Sequence, residues 1–554
     1  MIANLRLSRR PGVSKILARL AISSLNRRLN HIGLRPDALS RNSDNNMRQS
    51  TVVNSTHSSA SLNPPNGCHL KSGAGQRALA LLTLSLCVLS SSVLAAEDGT
   101  RPNIIFILAD DLGYGELGCY GQKVIQTPHL NQMAIEGLQF NQFYAGATVC
   151  APSRSVLMTG LHHGHTRVRG NAGKLNPKAQ ALTEEDVTVA GVLRTSGYRT
   201  ALIGKWGLGD VGEAASGLPG KQGFDEFFGY LNQHHAHNHF PDFLWRNEQK
   251  VSLPNKITPV GESGGGYATE AVQFADDLFV EEALRFVTLN KDRPFYLQWC
   301  LVIPHANNER TRELKNGAHV PDFGPYADRN WPDPDKGHAA MITRLDSYVG
   351  RMLNHLKELE LDKNTLVVFT SDNGPHNESN HDLKRFQPSG PLSGTKRSLT
   401  EGGIRVPAIA WWPGRITAGT KSAHVAYFGD WMATTAELSG SVVPKNRDSL
   451  SFLPSLLGET ARQKSHDFLY WEFHEGGFRQ AALYQGRWKA LRSHGPDEPI
   501  QLFDLQKDVA ESQDVSTQQP EITDTLSSYL SSARSESANW PAIWKSDHQR
   551  RGAR

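Results

Sequence analysis

The segment Asn103-Ile104-Ile105-Phe106-Ile107-Leu108-Ala109 runs directly into Asp110-Asp111. A short, continuous apolar run without polar alternation suits a strand covered on both faces, as in the parallel sheet of an α/β protein. Three other runs have the same form. Thr200–Ile203 leads to Gly204-Lys205, Phe295–Ile303 to Pro304-His305, and Thr365–Phe369 to Ser371-Asp372-Asn373-Gly374. Between the last two, Met341, Leu345, Val349, Met352 and Leu356 recur at three to four residues, the spacing of a helix with one buried face. Strands alternating with helices predict a mostly parallel α/β sheet. Ligands of such sheets bind beyond the carboxyl ends of the strands. Four strands thus bring three carboxylates, an amide, a lysine and a histidine to one edge.

Any one of these residues could be a turn residue or a cap; together they read as a site. Asp110, Asp111, Asp372 and Asn373 are hard oxygen donors. Clustered carboxylates repel one another unless a cation offsets them, and oxygen-only ligation selects Ca²⁺ or Mg²⁺ over zinc. Lys205 and His305 add positive charge and a proton donor beside an anionic substrate. Gly113-Tyr114-Gly115-Glu116-Leu117-Gly118 spells a dinucleotide-binding pattern. Asp110 and Asp111 at the same edge would repel a pyrophosphate, so that reading is set aside.

The chain has 554 residues, 38% hydrophobic and 21% charged. These values exclude a wholly disordered chain and a polytopic membrane protein, and the length suggests more than one domain. Residues 1–96 hold 12 of the 59 Lys+Arg and two of the 55 Asp+Glu, so the remainder carries a net charge of −6. An acidic body argues against nucleic acid as the main partner. Residues 1–77 are rich in Ser, Asn and Arg and lack apolar periodicity; they read as disordered or as an over-extended translation start. Ala78–Leu89 is an apolar run followed by Val93-Leu94-Ala95-Ala96, which reads as a signal peptide over 78–96. The run is short for a membrane span. The expectation is an exported protein, periplasmic or extracellular, starting near Glu97 and without a membrane span after cleavage. Cys119, Cys150 and Cys300 would remain, too few for a disulfide framework. Residues 97–465 form the expected catalytic domain. Over 466–554, Asp467–Phe473, Gln480–Leu483, Arg487–Leu491 and Leu502–Leu505 read as a small antiparallel sheet. A helix at Ile522–Ala533 and a loose polar tail follow.

Cys150-Ala151-Pro152-Ser153-Arg154 precedes the apolar Val156-Leu157-Met158. Pro152 suits a first helical turn. Cys150 would stand at the helix N-terminus, where the dipole favours a thiolate. The thiol is then either a buried structural group or a nucleophile served by a nearby histidine. At this segment the chain resembles the formylglycine-dependent sulfatases of arylsulfatase type. Their C-x-P-S-R signature is met in full, with Leu157-Met158-Thr159-Gly160 behind it. Asp110-Asp111, Gly204-Lys205-Trp206, Ile303-Pro304-His305, Ser371-Asp372-Asn373-Gly374, Lys396 and Glu401-Gly402-Gly403-Ile404-Arg405-Val406-Pro407 recur in the family's order.

The resemblance implies an alkaline-phosphatase-like mixed α/β sheet sandwiched by helices, with a small C-terminal α+β domain. It implies sulfuric ester hydrolysis on a sulfated carbohydrate or aryl ester, and conversion of Cys150 to formylglycine by a separate maturing enzyme. One hydroxyl of the hydrated aldehyde would attack sulfur, and the other would later expel sulfate. One Ca²⁺, less readily Mg²⁺, would sit at Asp110, Asp111, Asp372, Asn373 and the modified Cys150. Arg154 would hold the diol and the carboxylates, Lys205 and Lys396 the sulfate oxygens, and His305 would protonate the leaving oxygen. The chain departs from the family at Gly207, where relatives carry histidine; His162, His163 and His165 are candidates to replace it. Two rival functions are a phosphonate or phosphate ester hydrolase and a non-catalytic glycan-binding protein with Cys150 unmodified. His234-His235-Ala236-His237-Asn238-His239, with Trp245, reads as a pocket wall for a sugar; a transition-metal site and a solvated loop are the alternatives.

Overall fold

The computed structural model describes residues 101–171, 176–261 and 263–544. The expected N-terminal extension, the signal segment 78–96 and the start near Glu97 lie outside these residues. The described part falls within one compact unit, Leu94–Arg554. Its strands are β1 (Asn103–Asp110), β2 (Leu138–Tyr144), β3 (Arg199–Lys205), β4 (Glu226–Tyr230), β5 (Phe243–Arg246) and β6 (Gln249–Ser252). They continue with β7 (Lys256–Pro259), β8 (Gly266–Glu270), β9 (Phe295–Pro304), β10 (Thr365–Ser371), β11 (Ala408–Trp411) and β12 (Thr420–Tyr427). A ten-stranded sheet has the order β12-β2-β11-β10-β1-β9-β3-β4-β5-β6. Strands β10, β1, β9, β3 and β4 are parallel at its centre. Antiparallel pairs on either side, β10 with β11 and β4 with β5, make the sheet mixed.

The four expected strands are the central ones, and their composition explains why. On β1, Ile104, Phe106 and Leu108 enter one apolar layer, whereas Ile105, Ile107 and Ala109 enter the other. Both faces are dry, so the run needs no polar alternation. The helix Asp333–Glu358 buries Met341, Leu345, Val349, Met352 and Leu356 in the second layer. The helix Cys150–Thr159 packs into the first through Val156, Leu157 and Met158. Gly204, at φ +108°, lets β3 close on β9 just before Lys205: a Cβ there would lie 1.8 Å from the Cys300 carbonyl oxygen. After β1 the Gly113–Gly118 segment makes two 3₁₀ turns and opens no helix, which removes the phosphate-binding context of its pattern.

A second, antiparallel sheet holds β13 (Phe468–Phe473), β14 (Arg479–Tyr484), β15 (Trp488–Arg492) and β16 (Gln501–Asp504), with the helix Pro520–Ser532 packed on it through Leu526 and Leu530. The expected loose tail is corrected over 534–544. Trp540 and Trp544 are buried against His474 and Phe478, and the Phe478 amide donates to the Ile543 carbonyl (2.8 Å). Two large rings covering apolar surface tie this segment down.

The small sheet braces the large one through buried charge. Lys489 Nζ donates to Glu401 (2.9 Å) and Glu511 (3.3 Å), all three inaccessible or nearly so. Trp471 Nε1 donates to the Ala145 carbonyl (2.9 Å). Burial raises Glu511, only partly countered by Lys489, while for Glu401 Lys489 and Arg405 outweigh burial and hold it low. Lys489→Ala should cost about 3 kcal/mol or more, since it strands two buried carboxylates. Without the ammonium, burial drives the folded-state pKa of Glu511 further above its unfolded value. The stability this group contributes is then lost as pH rises through that raised value. Thermal unfolding should show the variant's deficit largest at neutral pH and smaller near pH 5.

Candidate active site

Three carboxylates meet at the carboxyl end of the central strands, all fully buried. Successive side chains of a strand point to opposite faces. Asp111 leaves the strand in the left-handed region (φ 66°), and its carboxylate turns to the side of Asp110. Donor atoms of Asp110, Asp111, Cys150 and His305 lie within 4.8 Å of one another. The extension of β10 adds Asp372, whose Oδ1 accepts the Asp111 amide (3.1 Å), and Asn373, whose Nδ2 donates to Asp111 Oδ1 (2.7 Å).

Three cations answer them. Arg154, one turn into the helix that Cys150 begins, donates from Nε and Nη2 to Asp372 Oδ2 (3.1 and 2.8 Å) and from Nη2 to Asp110 Oδ2 (3.1 Å). Its Nη1 donates to the Lys205 carbonyl (2.5 Å). Lys205 Nζ stands 2.5 Å from Asp110 Oδ2. Lys396 Nζ donates to Asp111 Oδ2 (2.8 Å) and to Glu378 Oε2 (3.0 Å). Burial alone would raise every carboxylate. Lys205 and Arg154 overcome it at Asp110, and Lys396 does so at Asp111, so both are held below the ordinary range. At Asp372, burial and then the Asp110 charge prevail and push it up to about 7.

Cys150 begins the helix, as its spacing from Pro152 predicts. Of the two readings of the unmodified thiol, the thiolate is the one disfavoured. Burial, with Asp110 beside it, pushes the thiol well above its ordinary range, and Sγ donates to Asp110 Oδ1 at 3.4 Å. Desolvation and a neighbouring anion outweigh the helix dipole. His305 Nδ1 lies 2.7 Å from the Ala306 carbonyl and must donate to it, so Nε2 carries a lone pair. That nitrogen faces Lys396 Nζ at 3.2 Å and Asp111 Oδ2 at 3.4 Å. Burial and the Lys396 charge hold His305 well below its usual range.

The site forms the floor of a cavity of about 500 Å³, whose walls include Gly207, Gln233, His234, His237, Arg312 and Arg397. The histidine run divides. His237 stacks on His305 (centroids 5.0 Å, 14°), and Glu309 bridges His234 (3.2 Å) and His237 (3.0 Å). His235 and His239 are buried among aromatic rings instead. Trp245 does not serve the cavity; it packs on Phe243 in β5. His162, His163 and His165 likewise do not line the cavity with Cys150. His163 lies between the Arg169 carbonyl and the Glu472 amide, His165 on Asp448, and His162 on the Gly164 amide. Sequence reasoning missed Glu378, which lies in an irregular loop with no strand to announce it.

The donor set fits a hard divalent cation. Asn373 Oδ1 is buried without a hydrogen-bond partner, a costly state that a cation would relieve. Asp372 is pushed toward neutrality although Arg154 is in contact with it, so further positive charge is called for. The carboxylate and amide oxygens are those that Ca²⁺ and Mg²⁺ take.

A profile described as Sulfatase matches residues 102–441. The chain belongs to the sulfatase family. A second profile, the C-terminal region of N-sulphoglucosamine sulphohydrolase, matches residues 394–536 of this sulfatase. The sulfatase is 32% identical over 391 residues to N-acetylgalactosamine-6-sulfatase of Canis lupus familiaris, covering 67% of this chain and 69% of that protein. It is 32% identical over 452 residues to arylsulfatase A of Homo sapiens, covering 74% and 82%. Among solved structures it resembles one from Bacteroides thetaiotaomicron, solved in connection with metabolism of multiple glycosaminoglycans (26% identity, 78% and 99% covered, TM-score 0.66). It also resembles Ps i-CgsB in complex with k-i-k-neocarrahexaose (26%, 82% and 99%, TM-score 0.63). The expected alkaline-phosphatase-like architecture is the one found.

Arg154 holds two buried carboxylates and a carbonyl with one planar fork, which a lysine's single ammonium cannot reproduce. Arg154→Lys should destabilise the sulfatase by about 3 kcal/mol or more, read as a lower melting temperature.

Proposed function

We propose that this sulfatase removes sulfate from a sulfated carbohydrate, or from an aryl sulfate, by attack of a hydroxyl carried on residue 150. A sulfatase-maturing enzyme first converts Cys150 to formylglycine, whose hydrated form supplies that hydroxyl. The observation that carries the reading is the closed set of three carboxylates and three cations around the Cys150 side chain at the cavity floor. Burial and the Asp110 carboxylate push the unmodified Cys150 thiol above its ordinary range. The named relatives act on N-acetylgalactosamine-6-sulfate or aryl sulfates by their names, and one solved neighbour is in complex with k-i-k-neocarrahexaose. A cavity with imidazole, amide and guanidinium walls suits such a polar, anionic ligand.

Asp110, Asp111, Asp372 and Asn373 would hold one Ca²⁺ beside residue 150. When bound, the cation supplies Lewis acidity, lowering the pKa of a hydroxyl and offsetting charge on the sulfate oxygens. Arg154 keeps Asp110 and Asp372 aligned. Lys205 and Lys396 stand where extra negative charge gathers as sulfur is attacked, and a preformed cation there stabilises the transition state more than the ground state. The ester bond breaks between sulfur and the leaving oxygen, and that oxygen needs a proton. His305 is the group placed to supply it, since the negative charge of a bound sulfate ester would raise the proton affinity of its Nε2. Sulfate left on residue 150 is released when the second hydroxyl loses its proton and the aldehyde re-forms. The leader at 78–96 supports export. Among the described residues no helix is long and apolar enough to cross a membrane.

Two measurements test this reading. Asp372→Ala should lose a stoichiometric Ca²⁺ by metal analysis and reduce turnover at least about a thousandfold; stoichiometric zinc in the parent protein would contradict it. His305→Ala should slow a sugar sulfate far more than 4-nitrophenyl sulfate, because a general acid matters most for a poor leaving group. Equal losses on both would give His305 another role, and faster turnover of 4-nitrophenyl phosphate than of the sulfate would reassign the reaction.

A further inference from the structure

Gly207 stands two residues past Lys205, with φ +83°. A Cβ on it would lie 2.2 Å from Gln233 Nε2 and 3.1 Å from its Cδ. The Gln233 carboxamide therefore fills the room that a side chain at 207 would take, where the relatives in the family pattern carry an imidazole. Backbone pairing fixes the approach. The amides of Trp206 and Gly207 donate to the carbonyls of Tyr230 (2.9 Å) and Leu231 (3.0 Å), which sets Gln233 directly across. Asn232 anchors the turn: its Oδ1 accepts the His235 amide (2.8 Å), and its Nδ2 donates to Asp210 (2.8 Å).

Both polar atoms of the Gln233 carboxamide are buried, and neither has a hydrogen-bond partner. Gln233 lines the cavity that also contains Cys150, His305 and Lys396. An unpaired donor and an unpaired acceptor held together against a cavity are a costly arrangement without a ligand. The pair also defines the ligand's chemistry. A bare sulfate oxygen could satisfy Nε2 but would leave Oε1 facing an anion. A hydroxyl both donates and accepts, and so satisfies the two atoms together. A carboxamide neither gains nor loses a proton near neutral pH, so Gln233 cannot replace a histidine as a base.

We propose that Gln233 is a positioning residue that binds a hydroxyl group beside the reacting sulfate through Nε2 and Oε1, and that position 207 is glycine to admit it. This rests on the sulfate-ester reading. The hydroxyl comes either from the sugar ring of the substrate or from the hydrated side chain at residue 150.

The test compares Gln233→Leu, which keeps bulk but not hydrogen bonding, with the parent protein in two arms. The first is steady-state kinetics of the matured enzyme on 4-nitrophenyl sulfate, which has no ring hydroxyl. The second is calorimetric binding of N-acetylgalactosamine 6-sulfate to the Cys150→Ala protein, with and without Gln233→Leu, which needs no turnover. If the hydroxyl is on the sugar, binding weakens about 10- to 100-fold while kcat on 4-nitrophenyl sulfate changes far less than that. If it is on residue 150, kcat on 4-nitrophenyl sulfate falls by a similar factor at little changed KM, and sugar binding is unaffected. Gln233→Leu matching the parent in both arms overturns the proposal. A parent protein that neither turns over nor binds either probe contradicts the sulfate-ester reading instead.

Discussion

Asp110, Asp111 and Asp372 are completely removed from water; Lys205 and Arg154 offset the charge of Asp110 and Lys396 that of Asp111, while Asp372, on Arg154, is left short of positive charge. Truncating one member of such a set strands a charge in a medium that solvates it badly, at a cost of about 3–5 kcal/mol. The cluster therefore ties together the ends of β1, β3 and β10, the helix that Cys150 begins, and the loop that carries Lys396. None of these can shift without separating opposite charges. This constraint places residue 150 with little freedom, which suits the nucleophile proposed there, since orientation supplies much of such a group's catalytic advantage.

The sheet topology explains why these groups meet. Parallel neighbours β10, β1, β9 and β3 all end at the same edge, so residues more than 250 positions apart, such as Asp111 and Asn373, come within hydrogen-bond reach. The left-handed turn at Asp111 re-aims one side chain, and Gly204 allows the backbone contact that sets Lys205. The small sheet contributes no group to the charged cluster. It closes the layer behind the Cys150 helix, through Lys489 on Glu401 and Trp471 on the Ala145 carbonyl.

The central strands were legible because a segment dry on both faces must be continuously apolar, and Asp110, Lys205, His305 and Asp372 were legible because they interrupt or follow such runs. The C-terminal strands showed through their shortness and the glycine-rich turns between them. Glu378 and Gln233 were not visible: Glu378 lies in an irregular loop, and Gln233 opens the single-turn helix Gln233–Ala236, too short to show a periodicity. Proximity in sequence misled at His162, His163 and His165, which follow the Cys150 helix but bond elsewhere once the chain turns at Gly160. Of the two readings of an unmodified Cys150, the thiolate at a helix N-terminus is disfavoured by burial beside a carboxylate. Trp540 and Trp544 show the same limit, two apolar rings in a polar tail whose partners lie far away in sequence.

The central claim is that the charged cluster serves an oxygen nucleophile at position 150, not a thiol. Peptide mass spectrometry across Cys150, on protein produced together with a sulfatase-maturing enzyme, tests it most directly when paired with turnover of the same samples. The account predicts that sulfur is lost from residue 150, that an aldehyde replaces it, and that sulfate-ester turnover rises in proportion to the converted fraction. Full activity from protein whose Cys150 is unmodified, or complete conversion without any sulfate-ester turnover, would contradict it.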